Sequence, residues 1–348
     1  MLKETIRISL FCISIFIIIF GRNNTKDNVI TYKSKSPNSI LKLDDFYFIN
    51  KNTGWVLRGI DSLKIIYKTT DGADTWNSIF ENDKNAFRSI GFTDSLNGFV
   101  GTLESNVLMY TTNGGFNWQK KNEIYGNKPK GICGLYVLDS VNIFGCGRYF
   151  TPAHFIKSTN GGATWTSKEI KQVSLLVDCY FFNAHNGIIV GGKSSENYYE
   201  AKTAILYTTN GGDSWIENYV GQNSGEICWK IYFVDSLIGY VSIESFVKNS
   251  NKLSYLKTID GGLTWKEFSF NVQPGYEALS IIFIDEKTGW IGGMRNLEDG
   301  SVSGESYNTT NSGVNWKPDI TYLNVNRFKY INNNIYASGK HFYKIPLK

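Results

Sequence analysis

At 348 residues the chain has room for two or three domains, and its net charge of +5 is spread over many lysines. No dense basic run occurs, so a nucleic-acid partner is not expected. Aromatic content of 15%, with 34 glycines and 6 prolines, suits short twisted strands and tight turns, and no stretch keeps a helical period except near the start.

That start reads as an export signal. Lys3 and Arg7 precede the apolar run 8–20, which fits a secretory h-region and falls short of the ~20 residues that span a bilayer. Gly21 suits a cleavage site and Ile19 does not, so residues 1–21 are either a cleaved signal peptide or a membrane anchor. Cys12 lacks the small neighbours of a lipoprotein box. Residues 22–348 are expected outside the cytoplasm, in the periplasm, at the cell surface or secreted, free or tethered. Cys133, Cys146, Cys179 and Cys228 show no C-x-x-C spacing. Cys133 and Cys146 flank the turn 139–142, where a bridge and buried thiols are both open.

Two phrases then alternate along the chain. The first is an apolar strand closed by Asp or Asn and reopened by glycine and a large apolar residue, as in Phe92-Thr93-Asp94 with Gly98-Phe99. It recurs at Phe48, Phe182, Phe233 and Phe283, with weaker copies at Val137 and Tyr330. The second is a hydroxyl residue, Asp or Asn, one or two glycines and a tryptophan. Its acid or amide and its indole are Asp71 and Trp76, Asn113 and Trp118, Asn160 and Trp165, Asn210 and Trp215, Asp260 and Trp265, and Asn311 and Trp316. Asn-Gly and Asp-Gly tolerate positive φ and mark hairpin turns. The side-chain oxygen ties the turn's own N–H groups, and the indole is left to fill the space between sheets. Recurrence in every unit makes these residues structural: an active site needs one such group, a stitched scaffold one per unit. Ala73 departs from the pattern, standing where the other copies have glycine.

The tryptophans recur at intervals of 42 to 51 residues, a period of propellers and arrays. Seven copies of the first phrase predict an all-β, seven-bladed β-propeller of four-stranded antiparallel blades. The seventh unit ends without a tryptophan strand, and residues 28–33 are expected to supply its outer strand, closing the ring and removing an open edge.

Both hairpin types close on one face of such a disc, so the irregular B-to-C and D-to-A connections share the other, where binding residues tend to sit. Five of the six arginines beyond the leader fall at that loop face: Arg58, Arg148 and Arg295 after B strands, Arg88 and Arg327 before the anchors of A strands. Guanidinium groups there would recognise carboxylates or phosphates. Tyr149, Tyr198, Tyr199, Trp229 and Tyr276 are candidate aromatic contacts. His154, His185 and His341 are scattered, no metal site or cofactor is expected, and the chain is expected to be a monomer.

The second phrase resembles the Asp box, or bacterial neuraminidase repeat. Sialidases share it, which makes a sialidase-like glycoside hydrolase or a glycan-binding propeller the alternative reading, although their Arg-Ile-Pro phrase is absent and six blades would be expected. Together, Phe-x-Asp-x-x-x-Gly-Trp and Thr-x-Asp-Gly-Gly-x-x-Trp resemble the photosystem II assembly and stability factor family across about residues 28–346. That resemblance implies a seven-bladed, non-enzymatic platform for a protein partner, such as an envelope or membrane protein.

Overall fold

The computed structural model describes residues 32–38, 42–60, 62–103, 106–148, 151–194, 198–247, 252–273, 276–297, 301–319 and 324–347. The leader, Tyr149 and the first part of the expected closing strand lie outside them; of Tyr198 only the backbone is described. The strands of these residues form seven sheets in chain order, the blades of a β-propeller. The innermost, or A, strands are Phe46–Phe48, Phe87–Phe92, Gly134–Val137, Leu175–Phe181, Glu226–Phe233, Tyr276–Phe283 and Arg327–Ile331. In blade seven the order is Tyr32–Asn38, His341–Pro346, Asn334–Ser338, Arg327–Ile331, so the N-terminal strand closes the ring, with Tyr32 opposite Lys344 and Asn38 opposite His341.

The described part of that strand takes in Tyr32 and Lys33 of the expected segment and runs on to Asn38. A departure is in blade three, where Ile124–Gly126 adds a fifth strand, parallel to Trp165–Glu169. It comes from the D-to-A connection, which carries no periodic signal.

The two phrases act as joints. In the cassette of blade five the Thr258 hydroxyl donates to Asp260 Oδ1 (2.7 Å) and accepts from Gly262 N–H (3.0 Å). Asp260 Oδ1 accepts from Thr264 N–H (2.9 Å), and the Trp265 indole donates to Gly262 O (3.1 Å). Each cassette also bonds the first hairpin of its own blade, as Gly114 N–H does with Leu96 O (2.8 Å) and Gly261 N–H with Leu237 O (2.9 Å).

Between blades, an aromatic ring of one B strand stacks on the A-strand anchor of the next. Trp55 lies on Phe92 at 3.6 Å, Phe144 on Phe181 at 3.6 Å and Tyr240 on Phe283 at 3.9 Å, so the blade-four anchor is Phe181 and not the expected Phe182. Tyr336 on Phe48 at 4.6 Å repeats the contact across the closure. The cassette tryptophan of the same blade meets that anchor edge-on, as Trp118 meets Phe92 at 81°. Glycine precedes the B-strand ring because a Cβ at Gly98 would lie 2.5 Å from the Phe92 ring.

Cys133, Cys146, Cys179 and Cys228 are all buried thiols, and no bridge joins Cys133 to Cys146. They lie on adjacent strands, joined through Cys133 N–H to Cys146 O (2.8 Å). The Cys146 thiol instead meets Cys179 of the next blade.

The cassette glycines predict a graded mutational response. At Gly162 φ is +83° and an added Cβ would lie 1.9 Å from Phe99 Cζ, so Gly162→Ala should lose about 2–5 kcal/mol through left-handed backbone strain and overpacking. Ala73 already sits at φ 76°, and Ala73→Gly should gain about 0.5–1 kcal/mol, strain relief exceeding the entropy cost. Urea midpoints of the two variants measure both.

Candidate functional site in the central channel

The seven A strands converge on an axis whose interior is charged. Three residues before the A-strand anchor, the blades carry in turn Asp45, Ser89, Gly134, Asp178, Lys230, Ser280 and Arg327. Register shifts at Phe87/Ser89, Leu176/Asp178, Cys228/Ile231 and Ala278/Ser280 mark bulges there, which re-aim side chains. The re-aimed groups reach the backbone of the following blade. Asp45 Oδ2 accepts from Ile90 N–H (3.2 Å), Asp178 Oδ2 from Ile231 N–H (3.3 Å) and Ser280 Oγ from Phe328 N–H (2.9 Å).

Arg327 closes this ring from inside. Its Nη1 and Nη2 bond both oxygens of Asp178 (2.7 and 3.2 Å), and its Nε bonds Asp45 Oδ1 at 3.2 Å. Blades seven, four and one are thus held by one buried guanidinium. Burial works against the charge of Asp45, but Lys329 and Arg327 outweigh it and hold the carboxyl below its usual range.

One step toward the loop face lies a second layer. Arg88 Nη1 bonds Asp44 Oδ1 (2.9 Å), whose other oxygen accepts from Gly59 N–H (3.0 Å). The Trp229 indole fills the space beside them, its N–H on Asn326 Oδ1 (3.4 Å), and the amide of Asn326 donates to Asp44 O. Lys42, Arg88 and Lys230 approach its ring to 5.7, 5.9 and 5.8 Å. Burial lowers Lys42 and takes Lys230 down to about 8. Burial also raises Glu244 to about 7 against the pull of Lys42, with Glu277 adding to the rise. Among the described residues Glu244 Oε2 has no hydrogen-bond partner.

The sequence-selected residues therefore divide. Arg88, Arg327 and Trp229 are buried in this plug. Tyr276 is buried against Tyr307, its hydroxyl on Glu305 O (3.1 Å), and Arg295 pairs with Glu305 Oε1 at 2.7 Å. Arg58 donates to Leu63 O (3.2 Å from Nε) and Arg148 to Thr151 O (3.0 Å), both holding loops after B strands. Tyr199 is 60% exposed and packs edge-on against Phe246 of the next blade. Proximity to the A strands was legible; the acids waiting there were not, because Asp44 and Asp45 precede a three-residue strand and Asp178 sits in a bulge.

The other mouth, on the hairpin face, escaped sequence reading. Tyr47, Tyr136, Tyr180 and Tyr232, each one residue before an A-strand anchor, surround a cavity of about 260 Å³ floored by Asp178, Arg327 and Lys329. The repeated place before the anchor was the available signal. A second cleft, of about 450 Å³, lies beside the added strand of blade three and gathers Lys120, Lys121, Lys128 and Lys130, which stand within one D-to-A connection.

Two predictions follow from the plug. Asp178→Ala leaves the Arg327 guanidinium buried without its main partner and should cost about 3–5 kcal/mol in chemical denaturation. Glu244, held near 7 against a usual 4.5, binds a proton in the folded chain that the unfolded chain releases. Its contribution is complete below the unfolded value and is lost as pH rises through about 7, a change on the order of 3 kcal/mol. Glu244→Gln should flatten that fall, so the variant gains stability relative to the parent between about pH 5 and 8 in thermal melts.

No family model matches the chain, and no curated protein matches it. Solved structures do. A structure described as YCF48 bound to D1 peptide superposes with a TM-score of 0.63 at 14% identity, covering 92% of this chain and 97% of that one. YCF48 from Cyanidioschyzon merolae gives 0.63 at 16% identity over 91% and 98% of the two chains. An ancestral GH74 enzyme gives 0.60 at 12% identity over 90% of this chain and 46% of its own. At these identities the likeness extends to the propeller fold, which the YCF48 structures and the GH74 enzyme share.

Proposed function

We propose that the chain is a non-enzymatic, extracytoplasmic platform that binds a protein partner through its loop face, secreted or tethered by residues 1–21. The supporting observation is the commitment of the channel acids. Most glycosidases need two carboxyl groups flanking an open cleft, and sialidases a tyrosine nucleophile with an acid. Asp44, Asp45 and Asp178 are instead buried and bonded to Arg88, Arg327 and backbone N–H groups. The solved YCF48 structure with a D1 peptide supports a peptide or protein as the class of partner. In this reading Arg58, Arg148 and Tyr199 supply contacts from the loops, while Arg88 and Arg327 hold the scaffold that presents them.

The test is the double variant Arg58→Gln/Arg148→Gln, with a second variant in which both become lysine, in pull-downs from the envelope fraction. A partner held by the parent should be lost by the glutamine variant and partly recovered by the lysine one. The melting temperature should move little, since surface substitutions stay within about 0.5 kcal/mol. Undiminished capture by the glutamine variant, or turnover of fluorogenic sialosides by the parent, overturns the proposal.

A further inference from the structure

The tyrosine-walled cavity on the hairpin face is a different site from the loop surface, and its chemistry is specific. Its walls are phenol rings: Tyr136 and Tyr180 lie 5.0 Å apart and share a hydroxyl hydrogen bond, and Tyr180 packs on Phe233 at 4.8 Å. Tyr47 and Tyr232 complete the wall, half-buried, with no hydroxyl hydrogen bond among the described residues. A phenol hydroxyl that opens into a cavity can donate to an anion.

The floor is charged. Asp178 lies against Arg327 and Lys329, with Asp45 behind them. Arg327 gives its Nε, Nη1 and Nη2 to the two aspartates. The Lys329 ammonium donates to Phe46 O and stands 3.5 Å from Asp45, which leaves donor capacity, and its side chain is 27% exposed on the cavity wall.

We propose that this cavity binds a single carboxylate group on a compact body, with Lys329 as its ion-pair partner, the Tyr47 and Tyr232 hydroxyls as hydrogen-bond donors and the Tyr136 and Tyr180 rings as walls. The Lys329 ammonium has a third donor beyond Phe46 O and Asp45, which suits one carboxylate; a doubly charged phosphate would leave an unpaired charge at a partly desolvated floor. The volume of about 260 Å³ suits about one amino-acid side chain or one monosaccharide and lies just below the ~300–1,000 Å³ of larger ligand pockets. The same carboxylate chemistry is available from a free small acid and from a glutamate on a protein chain.

Calorimetric titration of the full chain separates these sources. The probes are 4-hydroxybenzoate and glucuronate as free acids, a capped peptide with one glutamate, and 4-hydroxybenzamide as the neutral control. Binding of a free acid supports a small-molecule ligand, and binding of the peptide alone supports a protein source. In either case the amide should bind at least about tenfold more weakly. Lys329→Met should remove binding, and Tyr47→Phe/Tyr232→Phe, which keeps the rings and therefore the fold, should weaken it by about tenfold. Arg58→Gln/Arg148→Gln should leave it unchanged, so this site and the loop face stand or fall separately. No heat from any acid at millimolar concentration, or acid binding untouched by both channel variants, overturns the proposal.

Discussion

Burying charge at the axis is the constraint on which the rest of this propeller depends. Seven strands that converge on one line leave room for side chains and little for water, and an isolated charge there would be strongly unfavourable. The chain meets the constraint with a network in which Asp44, Asp45 and Asp178 each touch an arginine and also a backbone N–H. Asp45 serves blade one, the amide of Ile90 and the guanidinium of Arg327 together. The network is therefore a set of joints between blades as well as an electrostatic balance, and because a half-satisfied buried network is worse than an apolar one, it also specifies how the ring must close.

Closure explains the placement of Arg327. Blade seven is assembled from both ends of the chain, Tyr32–Asn38 and Arg327–Pro346, so its position depends on contacts that span nearly the full sequence. Contacts of several kinds cross that seam, among them the stacking of Tyr336 on Phe48, the bond from Leu43 N–H to Gly339 O, and the bonds of Arg327 to blades one and four. The first repeats the packing between other blades. Arg327 adds something that packing cannot, a directional, bidentate link across the channel.

What was legible in the sequence is what recurs. Phe92, Gly98 and Trp118 could be read because the same ring, the same space for that ring and the same edge-on indole return in blade after blade, and repetition separates a packing rule from accident. The fifth strand at Ile124–Gly126 and the run of the closing strand on to Asn38 were not legible, because outer-edge pairing is made by backbone groups that every residue carries. The channel was only partly legible. Arg88 and Arg327 were singled out by position, but their acids lie in bulges and short connections, where neither the two-residue period of a strand nor turn chemistry marks which side chain points inward.

The partition of the channel separates stability from recognition. Toward the loop face, Trp229 and the Asp44–Arg88 pair are buried at the axis and serve to hold the blades. Toward the hairpin face the same position that carries Gly91 in blade two carries Tyr47, Tyr136, Tyr180 and Tyr232 in blades one, three, four and five. The four phenol rings also pack against the blade cores, but that packing needs the rings and not their hydroxyls. Half-buried rings bordering a cavity beside the Lys329 ammonium hold partly desolvated polar groups in place, an arrangement that stability alone does not favour and that a carboxylate ligand would complete.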